Sequence, residues 1–67
     1  MDRREMALWM REVIDHLSRG CDQWQFAGET SEQFALQSME RDLAELQRIV
    51  RTARRLEVAP VRHARAA

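Results

Sequence analysis

Lysine is absent from this 67-residue chain, cysteine and proline occur once each, and glycine occurs twice. Each scarcity excludes something. With Cys21 alone, no intrachain disulfide can form, and one thiol with two distant histidines, His16 and His63, is a poor zinc set. Neither a metal nor another cofactor is expected. Glycine only at Gly20 and Gly28, with proline only at Pro60, argues against an all-β fold, which needs turn residues at short intervals. No apolar run approaches the roughly 20 residues of a membrane span. The opening Asp2-Arg3-Arg4-Glu5 does not read as a secretory signal. A cytoplasmic protein with a reduced Cys21 and no membrane contact is the expectation. The missing lysine reads as coding bias rather than chemistry.

What is present is apolar spacing of helical period. Met6, Met10, Val13, Leu17, Gly20 and Trp24 alternate by four and three, and Leu36, Met39, Leu43, Leu46, Val50 and Ala53 by three and four. Both are heptad seams. Asp2 with Glu5 resembles a capping box for a first helix, and Thr30 with Gln33 matches that pattern for a second. The spacing predicts an all-α antiparallel two-helix hairpin, with helices at about 3–26 and 30–57 and a flexible basic tail over 58–67. Gly20 either ends the first helix or lets a neighbour pack closely; continuation is the favoured reading. Facing residues of an antiparallel pair have position numbers of constant sum. Met6 with Val50, Met10 with Leu46, Val13 with Leu43, and Leu17 with Met39 all sum to 56, centred on Gly28.

A chain of this size supports a single core of roughly 3–5 kcal/mol at best. Each helix also carries more apolar surface than one seam uses. Ala7, Ile14 and Cys21 form a second stripe on the first helix, with Trp9 and His16 on its other flank. Ala35, Ile49 and Leu56 form a flanking stripe on the second helix, interrupted by Asp42. Left wet, such stripes forgo about 25 cal/mol per Å² of apolar area. The economical arrangement is a homodimer in which two hairpins make a four-helix bundle, with Trp9, Ile14, Cys21, Ile49 and Leu56 at the protein interface. A helix of a different partner protein is the alternative occupant.

Charge is balanced but unevenly placed. Residues 1–47 hold five arginines and ten acids; residues 48–67 hold six arginines and Glu57. Arg48, Arg51 and Arg55 share one helical face, as a phosphate-binding patch for nucleic acid would require. Favourable placement of cations at a helix C-terminus, with a solubilising tail, is the plainer explanation: no aromatic side chain interleaves to stack on bases, and the acidic first two-thirds would repel a polyanion. In an antiparallel bundle, the basic end of one hairpin could also meet an acidic end of another.

The run His16-Leu17-Ser18-Arg19-Gly20 resembles the phosphorylated-histidine segment of histidine-phosphotransfer domains, in which His is followed by two residues, a basic residue and Gly. The resemblance covers five residues. It implies a four-helix bundle, phosphoryl acceptance at His16 and partner steering by Arg19. The plainer alternative is a flank histidine paired with Glu12 one turn earlier. Ferritin-like iron sites need a Glu-x-x-His pair, and Val13 occupies that spacing before His16. Met6, Met10 and Met39 read as core filler rather than haem ligands. Cys21 and the serines have no activating neighbours in the sequence. The expectation is therefore not an enzyme but a small helical interaction protein: an adaptor, regulator or assembly subunit. A nucleic-acid-binding regulator and a phosphotransfer bundle are the alternatives.

Overall fold

A computed structural model describes the backbone of residues 2–66 and the side chains of residues 2–56. Two helices account for nearly all of it: α1, Arg3–Gln25, and α2, Glu29–Ala66. There is no strand among the described residues. Asp2 caps α1 as its sequence suggests, its carboxylate accepting the Glu5 N–H at 2.8 Å. The start of α2 differs from expectation. Gly28, not the Thr30–Gln33 pair, precedes the first turn, and its carbonyl accepts the N–H groups of Ser31 and Glu32 at 3.2 and 3.0 Å. A glycine serves here because it leaves those donors and acceptors open to water, and no positive φ is required of it.

The turn itself is short. Phe26 closes α1 by donating its backbone N–H to the Asp22 carbonyl, and Ala27 and Gly28 complete the link. α2 then runs past the boundary expected at residue 57. Arginine and alanine dominate that stretch and are strong helix formers, with Pro60 the one residue opposed. The expected flexible tail, 58–67, falls where side chains, and Ala67 altogether, lie outside the described residues. The 38 residues of α2 set the long dimension of the molecule, 59 Å against 17 and 14 Å across.

The α1 seam packs inward as its spacing requires from Met6 to Gly20, but Trp24, expected to continue it, is 44% exposed because α1 ends at Gln25. Met6, Val13 and Gly20 are buried, and Met10 and Leu17 are half-buried. The α2 seam does not match expectation. Leu43 and Val50, expected inside, are exposed, whereas Ala35 and Ile49 are buried. The inward set is Ala35, Met39, Asp42, Leu46, Ile49 and Ala53, a heptad rotated about 50° from the expected one and sharing Met39, Leu46 and Ala53 with it. The register shifts too. Met39 lies over Gly20 rather than Leu17, and His16 meets Asp42, so facing residues sum to 58 or 59 instead of 56. The centre of the core is Met6, Val13 and Ile49, with Met10, Leu46 and Ala53 packed against it.

Gly20 explains part of this choice. α1 continues through it, and a Cβ there would lie 2.8 Å from Met39 Cγ. The bare backbone gives Met39 its seat and draws α2 along by most of a turn. Gly20→Ala should gain about 1 kcal/mol of helix propensity and lose about 1–3 kcal/mol to overpacking. Net destabilisation of about 1 kcal/mol is expected in urea denaturation. In a Met39→Ala background the clash is gone, so the same substitution should become stabilising.

Candidate interaction surface

Helical geometry sorts the exposed side chains into faces. Successive residues advance about 100° around a helix. In an antiparallel pair, equal senses of rotation away from the two seams lead to the same side of the hairpin. The pair His16–Asp42 demonstrates this. His16 is set back from the α1 seam and Asp42 lies at the near edge of the α2 seam, and His16 Nδ1 lies 2.7 Å from Asp42 Oδ2, a ring N–H donating to a carboxylate. His16 therefore pairs across the hairpin, not with Glu12. Asp42 is largely covered, and this contact is what allows a carboxylate into the rotated seam. Trp9 and Glu45 are set back in the same sense and belong to this side; Leu56 continues the inward stripe of Asp42 and Ile49 to where α1 begins, and is half-exposed there.

The other side is apolar. Ile14 and Leu43 are each advanced about 80° from their seams, and Val50 about 60°. They are 49, 51 and 41% exposed. From the register of 58 to 59, heptad geometry sets Ala7, Ile14 and Cys21 on the same side as Val50, Leu43 and Leu36 and within about two residues of their level, as three rungs. Half-buried Met10, Leu17, Met39 and Leu46 form the floor between the rails. On α2 this face is a shallow groove lined by Leu43, Ala44, Leu46, Gln47 and Val50, with Glu40, Arg51 and Arg54 charged. Its charges sit at the ends and rim, and none lies among the rungs. Large contiguous apolar patches of this kind mark association sites.

The residues expected at an interface are thus separated. Ile14 and the exposed Cys21 lie on the apolar face. Trp9, also exposed, lies on the His16 side, and Leu56 is exposed at the end of the inward stripe beyond the start of α1, so one flat partner cannot cover all four. Ile49 is corrected outright. It is 1% exposed and belongs to the hairpin's own core, because the rotation of α2 exchanges it for Leu43 and Val50.

Aromatic residues collect at the closed end. Phe26 and Phe34 are 82 and 75% exposed and flank a groove that also takes in Gln23, Ala27 and Ser38. Trp24 is half-exposed nearby in sequence. The sequence reading missed Phe34. Its signal was an aromatic residue off both α2 seams, eight positions after Phe26 across the turn.

Arg48, Arg51 and Arg55 are all exposed, and Arg41 joins Arg48 and Arg51 along one groove. Arg48 is already engaged, donating to Glu45 one turn before it. Arg19 is likewise paired with Asp15. Among the described residues, no cluster of His, Cys, Asp and Glu is assembled that could hold a metal, and no helix is long and apolar enough to cross a membrane.

Fold and surface together define an all-α hairpin with one continuous apolar face. Set against known protein families, curated proteins and solved structures, the chain shows no significant match.

Proposed function

We propose that this chain is a small non-enzymatic interaction protein, an adaptor, regulator or assembly subunit, that works as a homodimeric four-helix bundle. The observation that carries this reading is the ladder of Ala7–Val50, Ile14–Leu43 and Cys21–Leu36 on one side of the hairpin. Among the described residues, four apolar side chains, Met6, Val13, Ala35 and Ile49, are buried within a single copy. That is a thin core for a stable domain. Covering the ladder with a second copy of itself would roughly double the buried layer and give a closed, two-fold assembly. The opposite side and the turn would stay free, offering Trp9, Phe26 and Phe34 to a client, aromatic groups of the kind that anchor binding hot spots. Sedimentation equilibrium at micromolar concentration should return twice the 7.9 kDa chain mass. A folded monomer there would overturn the reading.

Nucleic-acid binding is the second reading, favoured by the groove that Arg41, Arg48 and Arg51 share. The Glu45 clasp on Arg48 and the lack of a stacking aromatic among these residues weigh against it. It predicts salt-dependent retention on immobilised RNA, lost when Arg48, Arg51 and Arg55 all become Gln. Retention unchanged in that variant would dispose of it. The phosphotransfer alternative has less support, since His16 already serves as an interhelical tie through Nδ1.

A further inference from the structure

We infer that the second copy docks antiparallel, loop end against open end, on a two-fold axis that crosses α2 beside Gln47. This rests on the dimeric reading above and adds the orientation and register of the partner. The warrant is the order of residues along the advanced flank of α2. Leu43 and Val50 lie about equally far on either side of Gln47, as do Glu40 and Arg54. Antiparallel packing of this flank on itself sets each Leu43 against the partner's Val50 and each Glu40 against the partner's Arg54. It is the self-complementarity that an isologous contact needs, with apolar pairs inside and opposite charges at the rim.

Charge at the helix ends points the same way. The first turn of α2 carries Glu29 and Glu32, while six of the eleven arginines fall in residues 48–67. If both hairpins pointed the same way, the two arginine-rich ends would gather at one end of the bundle, together with Arg3 and Arg4 of each copy. Reversing one copy brings each arginine-rich end to an acidic first turn. Length supports the axis position. Gln47 stands at the middle of Glu29–Ala66, so the two long helices would overlap from end to end. The residues of α2 beyond Leu56, which outrun α1, would then run along the loop end of the other copy beside Leu36. On α1 the same axis pairs Ala7 with the partner's Ile14. Arg11 meets its own copy only at the outer rim, where salt screens it.

Cysteine cross-linking in the full chain tests this, in a Cys21→Ser background under mild oxidation. A disulfide requires Cα atoms within about 7 Å. With Gln47→Cys as the sole cysteine, most of the protein should become a covalent dimer. In the same-direction bundle α2 stacks on the partner's α1, so residue 47 lies diagonal to its copy. In that arrangement, an equal mixture of Ile14→Cys and Leu43→Cys chains would link instead. Linking through the mixture alone, or a sedimenting dimer that links through neither, overturns the orientation and leaves the dimer standing. A monomer in sedimentation removes the dimer itself, and the orientation with it.

Discussion

Ile49→Ala should cost the hairpin about 2–5 kcal/mol, as truncation of a fully buried aliphatic side chain does. Among the described residues, Ile49 is the only large side chain with essentially no exposure, and it packs on Met6 and Val13 at the centre of the core. A core of roughly 3–5 kcal/mol cannot absorb such a loss in a single copy. Circular dichroism at a concentration low enough for sedimentation to show monomer should therefore show most of the helical signal lost near room temperature. Ile49→Glu should be worse, because it buries a carboxylate with no partner. If Ile49→Ala melted like the parent chain, the rotated seam of α2 would be wrong, and the heptad of Leu36, Leu43 and Val50 would face inward.

Leu43→Glu combined with Val50→Glu should have a different signature: loss of the dimer with retention of the hairpin. Both positions are about half-exposed in one copy and lie outside its buried core, so the substitutions spare Met6, Val13 and Ile49. Each copy of the dimer would forfeit up to about 1.5–3 kcal/mol for each buried apolar side chain. At 1.4 kcal/mol per factor of ten, association should weaken by about a hundredfold or more. Sedimentation should report monomer while far-UV dichroism at high concentration keeps its helical shape. Leu8→Glu is the control. Leu8 is exposed on the outer face of α1, away from the ladder, and its substitution should leave the dimer mass unchanged. Equal effects at Leu8 and Leu43 would show that charge, not the apolar face, governs association.

These two predictions exchange roles that the sequence assigns the other way. Periodicity alone makes Leu43 and Val50 core and Ile49 surface. Two heptads overlap on α2, and they share Met39, Leu46 and Ala53. The remaining positions are Leu36, Leu43 and Val50 in one and Ala35, Asp42 and Ile49 in the other. Hydrophobicity favours the first, since an inward Asp42 is costly without a partner. The cost is met by His16, 26 positions earlier in the chain, and no local pattern reveals that pairing. The seat that Gly20 provides for Met39 is equally non-local. On α1 no such competition exists. One heptad dominates it, and Met6, Met10, Val13, Leu17 and Gly20 turn inward as their spacing requires, Trp24 at the helix end being the exception.

The candidate surface divides in the same manner. Ile14 and Cys21 are legible as a flank stripe because the α1 seam beside them is unambiguous. Their partners on α2 are not, because a rotation of about 50° decides whether Ile49 or Leu43 shows. The sequence by itself determined the number of helices, the place of the turn, the cap at Asp2 and the inward face of α1, since these follow from local spacing and from backbone groups that need satisfying nearby. Only the tertiary structure decided the register of α2, the burial of Ile49 and the joining of Ile14 with Leu43 and Val50 into one face. Those depend on which side chains of two separated segments fit together, here Met39 on a bare Gly20 and Asp42 against His16.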